Sequence, residues 1–86
     1  MSAFWTDDAW ADYLRWRSEN QKVFKRINRL VEAIAADPFR GIGKPEALRH
    51  GLTGYWSRRI TEEHRLVYKV TGKKTYIISC RYHYRK

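Results

Sequence analysis

Tyr55-Trp56-Ser57-Arg58-Arg59-Ile60-Thr61, followed after Glu62-Glu63-His64 by Arg65-Leu66-Val67-Tyr68-Lys69-Val70, is the stretch whose reading decides the fold. Apolar and polar residues alternate in both runs, the period of strands that bury one face. A third strand candidate follows the glycine turn Thr71-Gly72-Lys73-Lys74 and runs from Thr75 to Tyr82 or beyond. One parity collects Trp56, Ile60, Leu66, Tyr68, Val70, Tyr76, Ile78, Cys80 and Tyr82, and this predicts the core face. The other collects Ser57, Arg59, Thr61, Arg65, Lys69, Ser79, Arg81 and His83, with Val67 and Ile77 as its large apolar members. For Ile60 to share a face with Leu66, the connecting loop needs an odd number of residues, which predicts Ile60 opposite Leu66 and Arg59 opposite Val67.

Working outward, residues 7–18 read as a helix, with Thr6 as its cap, Asp7 and Asp8 in its first turn, and Trp10, Tyr13 and Leu14 at helical spacing. Val23, Phe24, Ile27, Leu30, Val31 and Ile34 mark a second, with Lys22, Lys25, Arg26 and Arg29 between them, ending before Asp37-Pro38. Ala3-Phe4-Trp5 is a short extended piece. Residues 38–54 hold both prolines and four of the five glycines, so they read mainly as loop with a short extended piece near Leu48. Long irregular stretches in compact domains are often functional, and this one carries Lys44, Glu46, Arg49 and His50. The expected fold is α+β: two N-terminal helices packed on one face of a small, mainly antiparallel twisted sheet, in one domain over residues 1–86. Two helices cover one face of such a sheet, which leaves the other open and cationic.

The formal net charge of +9 is uneven. The first 43 residues carry seven Lys/Arg against six Asp/Glu, and the rest carry eleven against three. One-sided positive charge points to a polyanion, whose binding is driven by phosphate neutralisation and counterion release. A chain of 86 residues buries about 60–65% of its unfolded surface. Large rings must therefore supply much of a thin core or a binding surface beside it. Cys80 is the one cysteine, which excludes an intrachain disulfide and favours a reducing compartment. The first residues lack a basic leader and an apolar run, and no stretch approaches a membrane span, so a cytoplasmic protein without a membrane partner is expected.

Gly41-Ile42-Gly43-Lys44 is not a phosphate-binding loop: Pro38 stands where the first glycine belongs and Pro45 where Ser or Thr should meet magnesium. Cys80 and His83 have a metal-like interval, but alternation sends them to opposite faces, so no metal or cofactor is expected. His50 and His64 fall in loops and read as solvated. No serine sits in a nucleophile elbow. What remains is Glu46, Arg65 and His83: an acid, a fixed cation and a titratable imidazole. Metal-independent RNA cleavage uses this set. A base takes the ribose 2′-hydroxyl proton, the oxygen attacks phosphorus, an acid protonates the departing 5′-oxygen, and a cation offsets charge on the phosphorane.

Pro38-Phe39 with Gly41, Gly43-Lys44-Pro45-Glu46, the run from Gly54 to Tyr68, and Cys80-Arg81-Tyr82-His83-Tyr84 together resemble the YoeB toxins of the RelE superfamily, nearly end to end. The resemblance implies a microbial-ribonuclease-like fold and a ribosome-dependent endoribonuclease that cuts mRNA in the A site against 16S and 23S ribosomal RNA surfaces. It makes Glu46 the general base, His83 the general acid and Arg65 the phosphate stabiliser. Tyr84 would position or stack on RNA, and Lys44, Arg49 and Arg59 would contact phosphates. Arg81 joins this RNA-binding set through its parity on the open face. A YefM-like antitoxin, a homodimer and operator DNA reached only through the antitoxin are also implied. Arg85 and Lys86 extend past the tyrosine at which many relatives end. On a regular strand Tyr84 has core parity, so its role requires the strand to end or twist after His83. The same charges also fit a non-catalytic RNA- or ribosome-binding module, and more weakly a DNA-binding repressor.

Overall fold

Thr6 accepts a hydrogen bond from the Ala9 amide (3.1 Å) and so starts the first helix, α1 (Asp7–Glu19). In this computed structural model, which describes residues 3–82, Asn20 then serves two helices at once. Its amide donates to Trp16 O (2.8 Å) at the end of α1, while its side chain accepts from Lys22 and Val23 to open α2 (Gln21–Ala36). The apolar stripe of α2 buries Ile27, Leu30 and Ile34 completely. In α1 the buried residues are Ala9 and Trp16, while Trp10 is exposed.

The sheet runs β1-β5-β4-β3-β2, with β1 (Ala3–Trp5), β2 (Glu46–Ala47), β3 (Trp56–Arg59), β4 (Arg65–Thr71) and β5 (Lys74–Ser79). Only the β1–β5 pair is parallel. Both helices contribute to the core that lies on one sheet face with Leu66, Tyr68, Ile77 and Cys80, which is the expected α+β arrangement.

Two expectations about register are corrected. In the β3–β4 hairpin Arg59 stands opposite Arg65 and Arg58 opposite Leu66, not Arg59 opposite Val67. The loop does have an odd count, but it closes one pair earlier. Thr61 Oγ1 accepts from the Glu63 and His64 amides, and the Ile60 amide donates to His64 O (3.0 Å). The slip is an even number of residues, so every side chain keeps its expected face. In β5 the first half is inverted. Val67 pairs with Ser79 but Tyr68 with Ile77, so Ile78 is an extra residue in a bulge. Thr75 and Ile77 therefore face the core, and Tyr76 and Ile78 do not. The strand also ends at Ser79, short of Tyr82.

Candidate functional site

Arg58 lies on the core parity, and it is fully buried. Its guanidinium donates to three carbonyls of one loop, Asp37 (2.6 Å), Arg40 (2.9 Å) and Ile42 (3.1 Å), and Nε donates to the Tyr68 hydroxyl (3.1 Å). Tyr68 in turn donates to Pro38 O (2.6 Å). Burial raises the Tyr68 phenol above its ordinary value despite the adjacent guanidinium, so it stays a donor at neutral pH. A planar fork thus ties down a segment with no secondary structure of its own. Gly43 then packs so closely that a Cβ there would sit 2.7 Å from Leu30 Cδ2, and its carbonyl accepts from the Arg59 amide (2.6 Å). This bracing leads directly into exposed Lys44, in the left-handed region at φ 52°, and into β2.

β2 places Glu46 on the open face. Glu46 pairs with Ser57, Ser57 with Val67, and Val67 with Ser79, a single row across four strands. One step along the same face lies the Arg59–Arg65 pair. Glu46, Arg49, Ser57 and Arg65, with Leu48, Leu52 and Val67, line one basin of about 280 Å³. By ordinary sheet spacing Glu46 and Arg65 are two strands across and two residues along, about 12 Å between Cα atoms. Both side chains can therefore reach a group the size of a phosphodiester placed between them. Val67 and Ser57 are buried even though they belong to the open face, because Leu48 and Leu52 also line this basin. Two guanidinium groups and one carboxylate leave the basin net positive, a trap for an anion that also holds a candidate base. Arg59 stands exposed beside it at the end of β3, and Lys44 is exposed at the entry to β2. Like charges directly opposite across a ladder repel, so the Arg59–Arg65 pair costs stability until an anion lies over it.

The terminal run departs from its expected faces. Cys80 is core, as its parity predicts, and burial pushes its thiol up to about 12. Arg81 is not on the open face. Its guanidinium lies 3.9 Å over the Trp16 ring, its Nη2 donates to Glu19 Oε1 at 2.8 Å, and its Nε faces Asp12 at 3.6 Å. The Arg81 hydrogen bond holds the Glu19 carboxyl below its usual value. Because the strand has already ended, alternation no longer governs these residues, and Arg81 packs on α1 instead of standing on the open face. Tyr82 is not core either: it is 54% exposed, with φ 58°. His64, expected in solvent, is 8% exposed and set edge-on to Trp16 at 4.8 Å. His83 and Tyr84 lie outside the described residues.

The structure therefore brings together Glu46, Arg49 and Arg65, sets Arg59 and Lys44 at the margin, and removes Arg81. Sequence reasoning missed Arg58 and His64. Arg58 carried a readable signal, a charge on the greasy parity of a strand, whereas nothing in the loop sequence marks His64 as buried.

By fold and site this is a small basic α+β protein that offers an acid and several guanidinium groups on an open sheet. The family model describing YoeB-like toxins of bacterial type II toxin–antitoxin systems matches residues 5–84. The toxin YoeB of Escherichia coli K12 is 51% identical over 84 residues, 98% of this chain and 100% of that protein. A solved YoeB/ParE toxin from Agrobacterium tumefaciens superposes with a TM-score of 0.94 at 44% identity, covering 98% of this chain and 100% of that one. Two structures from Staphylococcus aureus, a YoeB–YefM complex and a YoeB dimer, each superpose at 0.91 with 45% and 44% identity over 98% of both chains. The chain belongs to the YoeB-like toxins of type II toxin–antitoxin systems.

Proposed function

We propose that this toxin is a ribosome-dependent endoribonuclease that cuts mRNA in the A site. The observation that supports this most is the basin that sets Glu46 and Arg65 on one open cationic face, in a chain whose family is that of the YoeB toxins. Glu46 takes the 2′-hydroxyl proton, the oxygen attacks the adjacent phosphorus, and Arg65 offsets the growing negative charge. His83 gives a proton to the departing 5′-oxygen, and Tyr84 stacks on or orients the RNA. The upstream fragment is left with a 2′,3′-cyclic phosphate. Lys44, Arg49 and Arg59 hold phosphates, and 16S and 23S ribosomal RNA surfaces hold the toxin in place.

A YefM-like antitoxin neutralises it, operator DNA is met only through that antitoxin, and the toxin pairs as a homodimer. Staphylococcus aureus relatives solved as a YoeB–YefM complex and as a YoeB dimer support the antitoxin and the dimer. The chain acts in the cytoplasm as one domain. Regulated expression with mapping of mRNA ends tests the reading. Wild type should yield fragments ending in 2′,3′-cyclic phosphate, and His83→Ala should suppress them while leaving ribosome binding largely intact. Tight ribosome binding with uncut mRNA, after complete removal of the antitoxin, would instead identify a non-catalytic binding module.

A further inference from the structure

Tyr82 has both of its backbone polar groups taken by two consecutive residues. Its amide donates to His64 Nδ1 at 2.7 Å, and its carbonyl accepts from the Arg65 amide at 3.1 Å. The carbonyl of one residue shares a rigid peptide plane with the amide of the next. Holding both groups of Tyr82 therefore fixes the direction of the bond that leads on to residue 83. Tyr82 sits there at φ 58°, a conformation that a non-glycine residue keeps only when its surroundings impose it.

The group that accepts the Tyr82 amide is itself held at several points. The His64 amide is pinned to Thr61 Oγ1 (3.0 Å), its carbonyl accepts from Ile60, and its ring is packed edge-on against Trp16 and tilted against the Tyr82 ring at 4.9 Å. Trp16 Nε1 donates to Cys80 O (2.9 Å) and Arg81 lies over the same indole, so the two residues before Tyr82 close on the ring against which His64 packs. Accepting on Nδ1 requires a neutral ring that carries its proton on Nε2, which lies 3.6 Å from Glu63 Oε1. An aromatic ring of the same size without an acceptor would fill the space and release the Tyr82 amide.

We propose that His64 is a positioning residue: by accepting the Tyr82 amide hydrogen it sets where the chain delivers His83, and hence how well the general acid meets the leaving oxygen. This rests on the function proposed above. A misplacement of about 1 Å at a reacting group can cost on the order of a hundredfold in rate.

On the unsubstituted protein, NMR should detect a coupling through the hydrogen bond between the Tyr82 amide nitrogen and His64 Nδ1; its absence overturns the proposal. His64→Phe keeps a ring and removes the acceptor, while His64→Asn keeps an acceptor at similar reach. With mRNA on purified ribosomes, His64→Phe should lower kcat by about 10- to 100-fold with KM within about threefold of wild type, and His64→Asn should recover most of the loss. Amide exchange at Tyr82 should accelerate in His64→Phe and stay slow in His64→Asn. A His64→Phe protein that cuts at the wild-type rate with a freed Tyr82 amide overturns the idea. So does a His64→Asn protein as slow as His64→Phe while its Tyr82 amide stays protected. If His64→Phe fails to fold, the coupling and His64→Asn carry the test. If wild type itself never cuts, the endoribonuclease reading fails, and coupling and exchange still report on the clamp.

Discussion

Arg58 is a charge held in the core by four neutral oxygens, three carbonyls and a phenol, all at hydrogen-bonding distance. A lysine there would keep the charge but lose the fork, and buried acceptors left unpaired are expensive. Arg58→Lys should lower stability by about 2–4 kcal/mol, read as a lower urea midpoint at unchanged m. Cys80 gives a pH signature of its own. Burial raises the thiol from 9.0 to about 12, so between these values the folded protein keeps a proton that the unfolded chain releases. Its contribution is fully present below pH 9 and is lost as pH rises toward 12. Wild type should therefore lose thermal stability more steeply than Cys80→Ala across that range, and the folded thiol should resist alkylation below it.

At the scale of elements, the segment from Asp37 to Glu46 has no regular structure until β2, yet it carries the candidate base. Gly43 is its tightest point, with φ +87° and a Cβ position 2.7 Å from Leu30 Cδ2 and 3.0 Å from Arg58 Cβ. Gly43→Ala should cost about 1–3 kcal/mol and should reduce cleavage beyond the loss of folded protein, because Lys44 and Glu46 follow directly. Thermal melts beside single-turnover cleavage separate the two effects. The helices, the Thr6 cap of the first and the three main strands were legible because periodicity and end signals agree over many residues; the Asn20 cap of the second was not read. The faces of β5 were not. Tyr76-Ile77-Ile78 is apolar at every position, so alternation cannot reveal a bulge, and the one-residue shift passes unseen. The site was half legible: Glu46, Arg49, Arg59 and Arg65 stand where parity and loop content put them. Arg81 and Tyr82 do not, because both lie beyond the end of the strand, where counting by twos has no physical basis.

For the whole molecule, a charge of +9 concentrated in the second half makes binding to a polyanion strongly dependent on salt. Arg49 lines the basin and is exposed. Arg49→Ala should weaken binding to a single-stranded RNA oligomer and reduce the slope of log affinity against log salt by about 0.7, with little change in thermal stability. Fluorescence anisotropy over a salt series would show this, and an unchanged slope would remove Arg49 from the phosphate contacts. One further feature acts on the timing of assembly. β1 pairs in parallel with β5, Ala3 against Thr75, so the first strand to be synthesised has no sheet to join until the last has been made. During translation the segment from Ala3 to Trp5 must wait as an unpaired end, and the edge of the sheet closes late. The five-stranded order is thus complete only once β5 has been made, however early β1 leaves the ribosome.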